Sequence, residues 1–279
     1  MSEKQPDSRD VYFPKPHIAD RAHSQSLDEY ERRYRLSLDN PEWFWGEQAK
    51  RLDWFHPWTK VFDADYEEVD FAWFSGGRLN ASFNCVDRHL RDRGDKTAII
   101  WAGDEPGEYR HSTYRDLKHE VCRLANVLLA HGVKKGDRVC IYMPMIPELA
   151  YAMLACARLG AVHSVVFGGF SAEALRDRII DARCKLVITA NEGRRGGKGI
   201  PLKKTTDRAI EGMDMVETVL VARRTDTEVP MRHGRDLWLD EECRRQRSTC
   251  SNEWMGAEDP LFILYTSGST GKPLSLIHI

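Results

Sequence analysis

No run of about 18 apolar residues occurs in the 279-residue sequence, so it offers no membrane-spanning helix. The opening stretch, Met1 to Asp10, is polar and charged and lacks the apolar centre of a secretory signal. No Cys-x-x-Cys pair occurs among the seven cysteines, Cys85, Cys122, Cys140, Cys156, Cys184, Cys243 and Cys250. An odd number without paired spacing argues against a disulfide framework and against a zinc ribbon. Several lie in apolar runs, Val139-Cys140-Ile141 and Leu154-Ala155-Cys156, and read as small buried hydrophobes. Unpaired thiols point to a cytoplasmic location. A charge excess is missing too: 41 basic against 43 acidic residues leave a net charge of −2. That balance gives no reason to expect a nucleic-acid or membrane partner. What remains is 42% hydrophobic and 30% charged, a globular composition, in a length that holds one large domain or two smaller ones.

Residues 1–24 read as a polar tail. Leu27, Tyr30, Tyr34 and Leu38 recur at helical spacing in a charged stretch, and Asn40-Pro41 breaks it. The segment from Trp43 to Trp73 is rich in rings: Trp43, Trp45, Trp54, Trp58 and Trp73 are five of the eight tryptophans. Scattered large aromatics usually supply buried area, so packing is preferred here to a ligand box. Ser75-Gly76-Gly77 is a turn. Beyond Cys85 the pattern alternates between strand and helix. Strands are expected at Thr97–Trp101, Arg138–Met143, Ala161–Phe167, Lys185–Thr189, Glu217–Ala222 and Leu261–Tyr265. Thr113 with Asp116 nearly matches a capping box before Leu117, Val121 and Leu124. Pro147 starts a helix that ends at Gly160, and Ser171 caps another. Further helices are expected over Leu202–Glu211 and Arg235–Arg245. Short, β-branched strands with helices between them indicate an α/β fold, with a mostly parallel sheet covered on both faces. Ligands in such folds bind at the carboxyl ends of the strands, where two glycine-rich loops fall.

The first of these is Gly193 to Gly199. Within it Arg194, Arg195 and Lys198 lie among glycines, which permit close backbone approach, and guanidinium and ammonium groups match phosphate. On charge alone it could equally be a solvated basic loop. The second is Thr266-Ser267-Gly268-Ser269-Thr270-Gly271-Lys272-Pro273, after the last expected strand. Hydroxyls, glycine N–H groups and one ammonium can wrap phosphate oxygens. A Walker loop is excluded, because Thr266 stands where its first glycine belongs and Pro273 where its Mg²⁺-binding hydroxyl belongs. His163 lies within a strand and reads as a packed histidine. His111, His119 and His131 have no metal-site spacing. Glu241-Glu242 with Arg244-Arg245 reads as a solvated helix face.

The second loop resembles the phosphate loop of the adenylate-forming enzymes, the acyl-CoA synthetase and luciferase superfamily. The resemblance extends through Trp73-Phe74-Ser75-Gly76-Gly77-Arg78-Leu79-Asn80, Gly136-Asp137-Arg138-Val139, Pro144-Met145-Ile146-Pro147 and Val165-Val166-Phe167-Gly168-Gly169-Phe170-Ser171. The aromatic N-terminal segment is similar to the acetyl/propionyl-CoA branch. The resemblance implies a truncated N-terminal adenylation domain preceded by an aromatic-rich segment, belonging to an acetate–CoA ligase or a propionate–CoA ligase. It implies ATP phosphates on Thr266, Ser267, Gly268, Ser269, Thr270, Gly271 and Lys272, and coenzyme A on Arg195, Gly196, Gly197 and Lys198. It implies Mg²⁺ as cofactor and acetate, ATP and CoA as small-molecule partners. The expected division is a tail over 1–24, the N-terminal segment over 25–84 and an incomplete adenylation domain over 85–273.

After Pro273 the resemblance ends, and Leu274-Ser275-Leu276-Ile277-His278-Ile279 is expected to be a non-native tail from a truncated or misjoined reading frame. The family's catalytic residues, its acyl pocket and its Mg²⁺-associated acid are expected beyond Ile279. The sheet is therefore expected to keep an unpaired edge. The 279 residues are expected to be inactive as they stand, retaining at most nucleotide or CoA binding.

Overall fold

A computed structural model of the chain describes residues 14–266 and 274–276. It resolves into two compact units, Met1–Arg51 and Leu52–Ile279. In the first, Ser26 caps the helix Leu27–Asp39 by accepting the Glu29 N–H at 3.1 Å. Asn40 then stops that helix and caps the next, Pro41–Ala49, with the proline in its first turn, where no N–H is needed.

The second unit is built on a seven-stranded sheet. Its strands are β1 (Arg138–Met143), β2 (Val162–Phe167), β3 (Leu186–Ala190), β4 (Thr218–Ala222), β5 (Asp236–Trp238), β6 (Phe262–Thr266) and β7 (Leu274–Leu276). Their order across the sheet is β5-β4-β3-β1-β2-β6-β7. All neighbours are parallel except β7, which pairs antiparallel with β6. Every residue of β3 and β4 is buried, as strands covered on both faces must be.

The helices are α1 (Tyr114–Ala130), α2 (Pro147–Leu159), α3 (Ala172–Ala182), α4 (Leu202–Ala209) and α5 (Leu239–Arg244). The chain runs from β1 through α2 to β2, then back over β1 through α3 to β3, and on through α4 to β4. Right-handed crossovers in opposite directions place α2 on one face and α3 and α4 on the other. Packing agrees: α1 lies against α2 and α5, and α3 against α4. The local signals behave as expected. Thr113 and Asp116 form a complete capping box, Ser171 accepts the Ala174 N–H, and Gly160 closes α2 in the left-handed region. The rings of residues 54–74 pack on one another, Trp54 against Trp58 at 4.9 Å and Phe62 against Trp73 at 4.3 Å, and Phe55 stacks on Trp254 at 5.0 Å.

Four expectations are corrected. Arg235–Arg245 is not one helix: Asp236–Trp238 is a strand paired parallel to β4, and only Leu239–Arg244 is helical. Gly193–Gly199 is not a loop but a hairpin. Residues 274–276 pair with the outer edge of β6, so the edge of the sheet falls at β7 and not at β6. Glu242 is not solvated: its carboxylate is held by His131 Nε2 at 3.1 Å and is largely covered by α1.

Candidate functional site

Because β1, β2, β3 and β6 are parallel, their carboxyl ends share one edge of the sheet, and both glycine-rich segments leave from it. Thr266 is the last residue of β6; Ser267, Gly268, Ser269, Thr270, Gly271 and Lys272 lie outside the described residues. The other segment leaves β3. Three strand spacings separate β3 from β6, on the order of 14 Å.

After β3 the chain forms an antiparallel hairpin, Gly193–Arg195 against Lys198–Ile200. Its turn is Gly196-Gly197, with φ of +57° and +73°. Two left-handed residues in succession make the turn that matches strand twist, which explains both glycines. Arg195 and Lys198 face each other across the register on either side of that turn. Neither has a carboxylate within ion-pair distance among the described residues, whereas Arg194 is near Glu105 at 3.6 Å. Gly197 N donates a long hydrogen bond to Asp104 Oδ2 at 3.4 Å, and the two exposed cations on either side of the turn are a donor set suited to a phosphate. So all four predicted residues of this segment stand together.

One side of the hairpin borders a cavity of about 340 Å³. Its floor is the chain leaving β1 and β2, Met143–Ile146 and Phe167–Gly169, and its far wall is Trp101–Asp104. The wall belongs to a separate hairpin, Thr97–Ala102 with Tyr109–Thr113. Trp101 Nε1 donates to Met145 O at 2.7 Å, which fixes wall to floor. Arg224, from the segment after β4, forks onto Glu108 at 2.6 and 2.7 Å and covers the Trp101 ring at 5.2 Å. The Arg224 hydrogen bonds hold the Glu108 carboxyl below its ordinary value. Arg195 lies over the Phe167 ring at 5.8 Å, so one predicted cation reaches the cavity rim while its charge stays exposed.

Sequence reasoning missed Trp101, Glu108, Arg224 and Asn191. Their pairings join segments far apart in the chain, and no local spacing marks them. His163 is the packed histidine expected, buried against Phe262 at 5.8 Å, and burial pushes its pKa down to about 4. Among the described residues no three His, Cys, Asp or Glu side chains converge on a metal position, and no helix is long and apolar enough to cross a membrane.

Comparison with known proteins now bears on this geometry. The family model described as AMP-binding enzyme matches residues 86–274, which include the whole sheet through β6 and the hairpin. The chain belongs to the AMP-binding enzymes. The preceding residues, 30–85, match the model for the acetyl-coenzyme A synthetase N-terminus. The chain is 60% identical to acetyl-coenzyme A synthetase 2 of Pseudomonas aeruginosa over 252 residues, which is 90% of this chain and 39% of that protein. It is 57% identical to acetyl-coenzyme A synthetase of Halorhodospira halophila over 267 residues, 95% of this chain and 41% of that one. The Pseudomonas putida acetyl-coenzyme A synthetase 2 is 55% identical over 266 residues. The chain thus spans about two fifths of the length of these relatives.

Proposed function

We propose that this chain is the N-terminal part of an acetate–CoA ligase, which converts acetate, ATP and CoA to acetyl-CoA, AMP and diphosphate through acetyl-adenylate. The observation that carries the reading is the pair of adjoining family matches, 30–85 and 86–274, in one chain with relatives of that name. The matched phosphate loop begins where a parallel strand ends, the usual ligand edge of such a sheet.

In this reading the acetate carboxylate attacks the α-phosphorus of ATP and diphosphate leaves. Thr266, Ser267, Gly268, Ser269, Thr270 and Gly271 hold the departing phosphates with hydroxyl and N–H donors, and Lys272 balances their charge. Arg195 and Lys198, on either side of Gly196 and Gly197, attract the phosphates of CoA, whose thiol then takes the acetyl group from the adenylate. The described residues do not fit Mg²⁺, for lack of a converging acidic set, and no step is assigned to it. The reading divides the chain into a tail (1–24), an N-terminal segment (25–84), an adenylation part (85–273) and a non-native tail (274–279), in a cytoplasmic protein. Acetate is preferred to propionate on the names of the relatives.

The test uses the purified 279-residue chain. CoA is expected to raise its melting temperature, and Arg195→Ala to remove that rise. Because the relatives are more than twice as long, acetate-dependent diphosphate release from ATP is expected to be absent from this chain alone. A chain that ignores CoA, or that releases diphosphate with a different acid and not with acetate, would sink the reading.

A further inference from the structure

Asn191 follows the last residue of β3 and precedes the hairpin by one residue. It is 2% exposed, and every hydrogen-bonding position of its amide is used. Nδ2 donates to Thr225 O at 2.7 Å and Thr227 O at 2.9 Å. Oδ1 accepts the N–H groups of Glu192 and Arg224, both at 2.9 Å. An amide has two donors and two lone pairs, so nothing is left over. The orientation is set by the partners, since a flipped amide would put its oxygen against two carbonyls. The backbone is engaged as well: Asn191 N donates to Ala222 O at 2.9 Å, and Asn191 O accepts Lys203 N at 3.3 Å.

These bonds converge on the base of the hairpin. Lys203 is just past its second strand, so the bond to Asn191 O ties the exit of the hairpin to its entrance. The side chain ties the same point to residues 224–227, whose Arg224 forms the clamp on Glu108 and Trp101. A second tie comes from Glu192, which accepts the Thr227 hydroxyl at 3.2 Å. Glu192 also lies so close over Gly199 that a Cβ there would come within 2.2 Å of Oε1. A two-stranded hairpin of this size is not stable by itself; its direction is set by what holds its base.

We propose that Asn191 is the positioning residue of the ligand-binding hairpin: its buried amide fixes the direction in which Arg195 and Lys198 project, without touching the ligand. This rests on the reading of that hairpin as the CoA site. Asn191→Ala is expected to weaken CoA binding at least about tenfold, the loss of more than one net hydrogen bond, while ATP affinity stays within about twofold. Asn191→Asp keeps the bonds accepted at Oδ1 but sets its second oxygen against the Thr225 and Thr227 carbonyls, so it should weaken CoA binding at least as much as Asn191→Ala.

The experiment measures CoA and ATP dissociation constants and backbone hydrogen exchange for the wild-type chain, Asn191→Ala, Asn191→Asp and Arg195→Ala, each well below its melting temperature. Faster exchange confined to residues 193–200 and 224–227 in Asn191→Ala, with the β3 amides unchanged, supports the positioning role whether or not CoA is the ligand. Unchanged exchange in the hairpin overturns it, as does wild-type CoA affinity in Asn191→Ala where Arg195→Ala weakens CoA binding. A loss of ATP and CoA binding in equal proportion, or exchange raised throughout β3, would mark Asn191 as merely structural and also overturn it. Should Asn191→Ala not fold, Asn191→Asp carries the same comparison. Arg195→Ala tests the other reading separately: if it leaves CoA binding intact while Asn191→Ala alters hairpin exchange, the CoA assignment fails and the positioning stands.

Discussion

Arg158 is 1% exposed, an extreme position for a guanidinium, and it is affordable only because its donors are met. Nη1 and Nη2 donate to Asp87 at 2.8 and 3.1 Å, and Nε and Nη2 donate to Cys250 O at 2.8 and 2.6 Å. Lys118 holds the same carboxylate. Burial pulls the Asp87 pKa up, but the hydrogen bonds from Arg158 and Lys118 outweigh it, and the net is below the ordinary 3.8. Removing one partner of such a pair leaves a buried charge and an orphaned carbonyl, so Arg158→Met is expected to lose about 3 kcal/mol of unfolding free energy. The exposed pair Lys60–Asp63, with half of each side chain in solvent, gives the contrast: Lys60→Met should change stability by less than about 0.5 kcal/mol. Urea titration of the two variants measures both, and equal losses would contradict this account of Arg158.

Among the elements, the hairpin of residues 193–200 separates binding from stability. Its turn projects from the sheet edge, and nothing lies within 4 Å of a Cβ built on Gly196 or Gly197. The cost of a side chain there is conformational, about 1–2 kcal/mol for a residue held in the left-handed region. Gly197→Val is therefore expected to weaken CoA binding several-fold with little change in melting temperature, whereas Gly196→Asn, which makes a favoured Asn-Gly turn, should bind as wild type. Calorimetric titration with CoA alongside a melting scan distinguishes them. The alternation of strand and helix was legible in the sequence because β1, β2, β3 and β4 are β-branched runs bounded by Pro147, Gly160 and Ser171, all local signals. The hairpin was read as a loop because glycines and cations hide a period of two in so short an element. Asp236–Trp238 was read as helix because it runs on into Leu239–Arg244, and its strand character comes only from pairing with β4. Arg195 and Lys198 were legible as charge; Asn191 and Arg224 were not, since Asn191 reaches Thr225 34 residues away and Arg224 reaches Glu108 116 residues away.

For the molecule as a whole, near neutrality conceals groups that make stability fall with acid in two stages. His163 is buried, and its pKa is pushed down from 6.5 to about 4 by loss of solvent. The unfolded chain therefore binds a proton at this site below about 6.5 that the folded chain refuses until about 4, and stability is lost as pH falls through that window. At 1.36 kcal/mol per pKa unit the full loss is roughly 3 kcal/mol. The second stage belongs to carboxylates. Asp236 loses solvent, which raises its pKa, but hydrogen bonds from Arg235 and Lys203 bring the net below 3.8, and Asp87 behaves alike. A depressed carboxylate contributes stability that is present above the unfolded value and disappears as pH falls below it, so this stage begins near 3.8, under the histidine window. The stages can be told apart by substitution. His163→Leu, in a buried apolar position of β2, is expected to flatten the melting temperature between pH 6.5 and 4 and to leave the fall below pH 4 intact. Lys203→Met removes a buried cation that Asp236 meets at 2.8 Å. It should lower stability at neutral pH and shrink the fall below pH 4, because the carboxylate then has less to lose. Melting scans from pH 7 to pH 3 on both variants decide the matter: a histidine variant as acid-sensitive as wild type between pH 6.5 and 4 would remove His163 from the first stage.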